Sequence, residues 1–462
     1  MQKIEKVLLS FIILTILLKI LLCFHLGPVI DPDSSEYLSY MESIYDGYGL
    51  SQKDYTDNQI KPTAWRMPLF VYFNYYVNKI IGNNKKENFA KTILITNTIF
   101  YILILAFSFL ISKNLTNDTK FSLTCTLILS LTPNLFYNSF LILTDTMFSF
   151  SIILFSYFFV KFLKTHNKNL VVLASITLGI SLLIRPIMKF YVFLVILIIF
   201  YINQDLRSKI KSSLVFLFFF TITTLPWLIR NYYKLGFFGF ETNQGINTLW
   251  SAIAIVDEYD ESDDEITSKI RRILIKYKNT YPFLGPLEAE KEIRKTLNLS
   301  EVEASKYLTR IGIKTIISKP HKFSKIYLRG IINNLTSATS ELKLIDYLFY
   351  KGYYDKQHKV MMKIHHWQIP TNLNEFFTIL PNLFFRFIHL IISIIVLISA
   401  IDFFKKDKLT SIFFLSLTLY LIGLTSMVAS YDRYRLPVEF IFSFYLTYFI
   451  YNFKKIFYKQ YY

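Results

Sequence analysis

Residues 89–112 read FAKTILITNTIFYILILAFSFLIS, with Lys91 the sole charge. A run of about 20 apolar residues is long enough to cross a ~30 Å hydrocarbon layer as a helix. Residues 140–160 and 377–401 are runs of the same kind. Their apolar positions are continuous rather than alternating, which excludes a membrane β-barrel. The whole chain agrees: 53% of its 462 residues are hydrophobic and its mean hydropathy is +0.36. Such a composition excludes a soluble globular enzyme, a disordered chain and a secreted disulfide scaffold.

Working outward from that stretch, the same criterion predicts an all-α polytopic membrane protein of about ten spans. They lie near 7–26, 89–112, 120–138, 140–163, 169–185, 187–203, 211–229, 377–401, 409–428 and 435–453. Lys3 and Lys6 precede the first run, and no small-residue cleavage site follows it, so it reads as a retained span rather than a signal peptide. The net charge of +18 comes from 51 Lys and Arg against 33 Asp and Glu. In a membrane protein that excess belongs to cytoplasmic loops. With the N-terminus in the cytoplasm, Lys113 and Lys120 fall inside, as do Lys161, Lys164 and Lys168, then Arg207, Lys209 and Lys211, then Lys405, Lys406 and Lys408, and the tail Lys454, Lys455 and Lys459. Every cytoplasmic connection is then basic, and both termini are cytoplasmic. Cys23 and Cys125 sit inside apolar runs and read as small core residues.

Three modules follow: an N-terminal transmembrane module over 1–229 with a first outer loop at 27–88, a mostly helical extracytoplasmic domain over 230–376, and C-terminal transmembrane helices over 377–462. Within the outer domain, Ser300 and Glu303 form a capping-box pattern. Ala304, Tyr307, Leu308 and Ile311 continue it as an apolar stripe at helical spacing; Gly312 should weaken the helix, and Ile313, Ile316 and Ile317 resume on another face. Asp257–Glu265 reads as a solvated acidic loop.

This topology collects charges at the outer ends of the spans. Asp31, Asp33 and Glu36 follow the first span, Arg66 lies in the same loop, Asp145 opens the fourth span and Arg185-Pro186 turns between the fifth and sixth. Arg230-Asn231 ends the seventh, and Asp432, Arg433 and Arg435 precede the tenth. Any one of them could be a helix-end charge reaching for headgroups. A whole ring of them points to a cavity, since charges beside hydrocarbon are costly unless paired or hydrated. Guanidinium forks suit phosphate, and a carboxylate can take a proton from a hydroxyl. A site at the membrane boundary can meet a lipid-borne substrate and a polar one together. These features point to group transfer from a lipid phosphate.

In motif order the chain resembles the polytopic GT-C glycosyltransferases, in particular the family 39 group of protein O-mannosyltransferases, lipid A aminoarabinose transferases and lipopolysaccharide core transferases. Asp33-Ser34-Ser35-Glu36-Tyr37-Leu38 with Gly47-Tyr48-Gly49 is similar to the first-loop pattern, and Arg66-Met67-Pro68 to the Arg-x-Pro after it. Thr144-Asp145-Thr146 stands where the family often has Thr-Glu-Thr, one methylene longer, and Arg185-Pro186 is similar to its Arg-Pro turn. Pro226-Trp227-Leu228-Ile229-Arg230-Asn231-Tyr232 resembles the most specific string, Pro-Trp-x-x-Arg-Asn-Tyr. Gly245-Ile246-Asn247-Thr248-Leu249-Trp250 and Arg433-Tyr434-Arg435-Leu436-Pro437 resemble the later segments.

The resemblance implies an enzyme, a hexosyl- or pentosyltransferase that moves a sugar from a polyprenyl-phosphate donor to a lipid, glycan or protein acceptor by inverting displacement. The implied setting is the extracytoplasmic face of a bacterial inner membrane. It implies Asp33 as the base, Arg66, Arg185, Arg230 and Arg433 as donor-phosphate ligands, and Asp145, Glu36, Tyr37, Asn231 and Arg435 as substrate contacts. Tyr37, Trp65 and Trp250 could stack on sugar or prenyl carbons, though an aromatic content of 18% makes chance placement the simpler account. No cofactor motif is present, and a divalent cation held by Asp31, Asp33 and Asp145 stays open. His365-His366 lacks further ligands at zinc spacing. The sequons at Asn114 and Asn334 read as coincidence in an Asn-rich chain, and Gly47 and Gly49 do not open a phosphate loop. Nucleic acid is not an expected partner. Two readings compete with the enzyme: a flippase for lipid-linked sugars, which would want charges near the midplane, and a non-catalytic assembly component.

Overall fold

The computed structural model describes residues 3–54, 56–202, 204–256, 265–278, 285–350, 360, 370–427 and 431–458. Its helices, in chain order, are α1 Lys3–Leu26, α2 Ser34–Tyr45, α3 Pro68–Ile81, α4 Phe89–Thr116, α5 Thr119–Ser130, α6 Pro133–Asn138, α7 Asp145–Thr165, α8 Lys168–Ile184, α9 Tyr191–Tyr201 and α10 Leu206–Leu235. Then follow α11 Gln244–Ile255, α12 Glu265–Lys278, α13 Gly285–Leu297, α14 Glu301–Ser318, α15 Pro320–Thr336, α16 Thr339–Ile345, α17 Leu373–Phe404, α18 Lys408–Thr425 and α19 Glu439–Tyr458. Sheet among the described residues is one antiparallel pair in the first outer loop, Ser51–Lys53 (β1) with Ile60–Pro62 (β2).

The chain is a multi-pass membrane protein. Six of the described helices, α1, α4, α7, α10, α17 and α18, are long and apolar enough to cross a bilayer. The other four of the ten expected spans take different forms. The run at 120–138 breaks into α5 and α6, because Pro133 has no N–H to continue the ladder and biases the residue before it toward extended backbone. The run at 169–185 becomes α8, of 17 residues, and that at 187–203 a 3₁₀ turn, Pro186–Phe190, leading into the 11-residue α9. The tenth begins with two 3₁₀ turns over 432–438 before α19.

The main core gathers side chains of α4, α7, α8, α10, α18 and α19, and within it Phe155 and Phe159 of α7 pack edge-on and tilted against Phe413 of α18. A smaller core forms outside it, where α11 to α14 converge on Leu249, Ile253, Ile270, Leu274, Ile293 and Leu308. The capping box forms: Ser300 accepts from the Glu303 N–H, and the Glu303 carboxylate accepts from the Ser300 N–H at 2.9 Å. The helix runs through Gly312 to Ser318. Gly312 is buried against Thr248, and the absent side chain lets α14 lie close on α11. Gly245 does the same from the other helix, where a Cβ would stand 2.7 Å from the Ser305 carbonyl oxygen. His365-His366 and most of the acidic 257–265 stretch lie outside the described residues.

Gly245→Val should therefore overpack the α11–α14 contact and cost about 1–3 kcal/mol. Trp250 fluorescence during thermal unfolding in detergent reads it directly, and an unchanged midpoint would show that the two helices have room to spare.

Candidate functional site

The charges that the sequence places at outer span ends converge at one end of the helix bundle. Asp33 sits at the N-terminal boundary of α2, where the helix dipole favours a carboxylate. Arg66 lies just ahead of Pro68, the first residue of α3. Its Nη2 donates to Asp33 Oδ1 at 3.2 Å and its Nε to Glu36 Oε2 at 2.7 Å. From the far end of the chain, Arg433 Nη2 donates to the other Asp33 oxygen at 3.4 Å, and its Nη1 stands 3.9 Å from Asp31. Lys343 Nζ lies 3.7 Å from Asp31 on its second oxygen. Asp33 is thus clasped by two guanidiniums while remaining 38% exposed. Burial works against its charge, but Arg66, Arg433 and Arg185 outweigh that and hold its carboxyl below the usual carboxylate range. It stays ionised at neutral pH, a ready acceptor for a hydroxyl.

The second pair is deeper. Asp145 begins α7 and is 1% exposed. Arg185 closes α8 in an extended conformation, with its Nη2 2.7 Å from Asp145 Oδ2 and its Nε donating to Thr144 Oγ1 at 2.8 Å. The Asp145 contact is an ion pair off the line of a hydrogen bond, and neither Asp145 oxygen accepts one among the described residues. Arg433 Nε is likewise buried without a hydrogen-bond acceptor. Tyr37 is buried, packed edge-on against Phe70, and its ring lies 5.4 Å from the Arg66 guanidinium carbon.

Not every expected site residue joins this cluster. Arg230 spends its donors on backbone: Nη1 on the Thr63 carbonyl at 2.7 Å, Nη2 on the Leu50 carbonyl at 2.8 Å, while its plane covers Trp227. Asn231 is fully buried and donates to the Gly239 carbonyl at 2.7 Å. Arg435 is buried too, held by Glu439 at 2.8 Å and the Leu335 carbonyl at 2.7 Å. These three side chains build the frame in this structure rather than line the opening. Trp65 is buried as well. Asp31, Asp33 and Asp145 each face a cation, and no set of three Asp, Glu, His or Cys side chains converges as a metal cluster among the described residues.

Two carboxylates escaped the sequence analysis because no motif marks them. Glu301, the first residue of α14, accepts from Gln52 at 3.0 Å, from Thr63 at 2.9 Å, from the Ala64 N–H at 3.3 Å and from Thr242, and so ties the outer domain to the loop that carries Arg66. Glu241 lies 3.9 Å from Lys189, which follows the Arg185-Pro186 turn. Burial pushes its carboxyl up to about 7, against the pull of Lys189 and Arg66.

With this geometry in hand, the comparisons can be placed. A family model described as dolichyl-phosphate-mannose-protein mannosyltransferase matches residues 61–229, the stretch that carries Arg66, Asp145 and Arg185. The oligosaccharyltransferase AglB from Archaeoglobus fulgidus, solved with an inhibitory peptide and a dolichol-phosphate, superposes over 98% of this chain and 51% of its own at 12% identity and a TM-score of 0.52. The chain has the GT-C fold. A second AglB structure, tethered to an acceptor peptide, aligns over 97% of this chain and 50% of its own at 12% identity and TM-score 0.53. This GT-C chain therefore spans about half the length of AglB. ArnT from Cupriavidus metallidurans bound to undecaprenyl phosphate aligns over 93% of this chain and 78% of its own at 11% identity, with a TM-score of 0.40 that is too low to carry weight. No curated protein matches the sequence.

Two outcomes follow. Removing the Arg230 fork by Arg230→Ala should lower stability by about 2–3 kcal/mol, because two carbonyls lose charged donors, whereas Arg433→Ala, which leaves Asp33 still paired with Arg66 and Asp31 with Lys343, should cost less. Comparing the two midpoints in detergent decides between frame and ligand roles. The folded pKa of Glu241 lies above its unfolded value, so its contribution to stability is complete below pH ~4.5 and is lost as pH rises through about 7. Glu241→Gln should remove on the order of 3 kcal/mol of that pH dependence, read as the difference in melting temperature between pH 5 and pH 8 relative to the parent.

Proposed function

We propose that the chain is an integral membrane glycosyltransferase that moves a sugar from a polyprenyl-phosphate donor to a hydroxyl acceptor at the extracytoplasmic face of a bacterial inner membrane, with both termini in the cytoplasm. The observation that carries this is the clasp on Asp33: an ionised, half-open carboxylate fixed between Arg66 and Arg433, with the Asp145–Arg185 pair beside it. A base and a phosphate-binding set then share one end of the bundle. The basic loops listing toward the opposite ends of the spans support the orientation. The gathering of charges at one end of the bundle, rather than at the midplane, disfavours alternating access.

In the displacement, the acceptor oxygen attacks the anomeric carbon as the bond from that carbon to the phosphate oxygen breaks. Asp33 takes the acceptor proton, and polyprenyl phosphate leaves with one more negative charge than it had as the ester. Arg433, which has an unused Nε donor, and Arg185 are placed to stabilise that charge as fixed, preorganised groups. Arg66 keeps Asp33 ionised and oriented. Asp145, 2.7 Å from Arg185, orients that arginine rather than binding a sugar hydroxyl, the other role that the family resemblance leaves it.

Asp33→Asn and Arg433→Ala should each lower sugar transfer in membranes by about 10²–10³ at equal protein level. Mass spectrometry of envelope glycans with and without the gene should show one missing sugar. Near-parental turnover in Asp33→Asn would remove it as the base, and unaltered glycans would remove the transferase.

A further inference from the structure

The string Pro226-Trp227-Leu228-Ile229-Arg230-Asn231 has a purpose in this fold other than gripping phosphate. Trp227 Nε1 donates to the Phe240 carbonyl at 2.7 Å, and Asn231 Nδ2 to the Gly239 carbonyl at 2.7 Å. Arg230 fixes the facing segment through Leu50 and Thr63. The Thr242 N–H then donates to the Ala64 carbonyl at 3.0 Å, and the Thr242 hydroxyl to Glu301. The backbone is thus pinned on both sides of one residue, Glu241, and pinned to the segment that runs directly into Arg66.

Such investment in one backbone position calls for a reason at its side chain. Glu241 is 10% exposed, accepts no hydrogen bond among the described residues, and has Lys189 at 3.9 Å as its cation. Lys189 itself donates to Gln244 at 2.9 Å and stands four residues beyond Arg185. A mostly buried carboxyl with free acceptor capacity, next to an ammonium that stands four residues beyond Arg185, is the donor and acceptor pair that neighbouring hydroxyls of a sugar require. Burial raises its carboxyl to about 7 despite the pull of Lys189 and Arg66, so near neutral pH the group can accept or donate a hydrogen bond.

We propose that Glu241, with Lys189, is the hydroxyl-binding subsite for the donor sugar, and that Trp227, Arg230 and Asn231 are positioning residues for it. This rests on the transferase proposal. Leaving a buried sugar hydroxyl without its acceptor costs about ten- to a hundredfold in binding. With purified full-length protein and donor lipid extracted from the source membranes, Glu241→Ala should raise the donor KM ten- to a hundredfold and leave kcat within about threefold. Glu241→Gln, which keeps a carbonyl acceptor, should recover most of that loss. Trp227→Phe, which removes one pin, should raise the donor KM in the same direction with Glu241 present and have no further effect on Glu241→Ala. A donor KM unchanged in Glu241→Ala, or a loss confined to melting temperature and kcat in both Glu241 variants, overturns the subsite while leaving transfer by the parent intact. Absence of transfer by the parent itself would instead overturn the underlying activity.

Discussion

A charge beside hydrocarbon must be paired, and that constraint organises this molecule. The cost of leaving a carboxylate or guanidinium unmatched near a bilayer is several kcal/mol. Asp33 resolves it by standing between Arg66 and Arg433, residues 33 and 400 positions away in the chain. Asp145 resolves it with Arg185 across two packed helices. Each pair can form only if its helices end at the same level, so the pairing and the bundle determine one another. A by-product is chemistry: groups held in fixed orientation in a poorly polarisable setting interact strongly with charge that develops between them.

The first outer loop carries Asp33, Glu36 and Arg66, and its Met41, Phe70 and Val71 are buried in the main core. It is also secured from outside. Arg230 reaches from the end of α10 to two of its carbonyls, and Glu301 at the head of α14 gathers donors from Gln52, Thr63 and Ala64. The outer helical domain, with its separate small core, is thereby coupled to the site by hydrogen bonds rather than by distance alone. Placing Glu301 at a helix N-terminus also matches its charge to the dipole.

The GT-C likeness speaks to this architecture. It extends over nearly the whole of this chain and about half of AglB, at an identity too low to transfer substrates. The match to the mannosyltransferase model covers 61–229 and so includes Arg66 and the Asp145–Arg185 pair but neither Asp33 nor Arg433. That Arg433 nevertheless arrives at Asp33 is a property of this chain's own packing.

The sequence by itself determined the membrane class and the mostly helical build, since apolar runs of sufficient length have few other fates, and it placed Asp33, Arg66, Asp145, Arg185 and Arg433 among the span-end charges that need a partner. It also determined the α14 start, because a capping box is a local exchange between residues three apart. Tertiary structure alone decided which arginines have donors to offer. Arg230, Asn231 and Arg435 lie in motifs as strong as the others, yet backbone carbonyls from distant segments consume their hydrogen bonds, and no local pattern encodes that. It alone exposed Glu241 and Glu301, whose surroundings come from four different parts of the chain. Span length was shared between the two: hydropathy gave the runs, but Pro133 and the 3₁₀ turns at 186 and 432 broke them where packing could absorb the freed backbone groups. The division follows from range: burial and capping act over a few residues, whereas the partner of a buried donor is fixed only when the whole chain has closed around it.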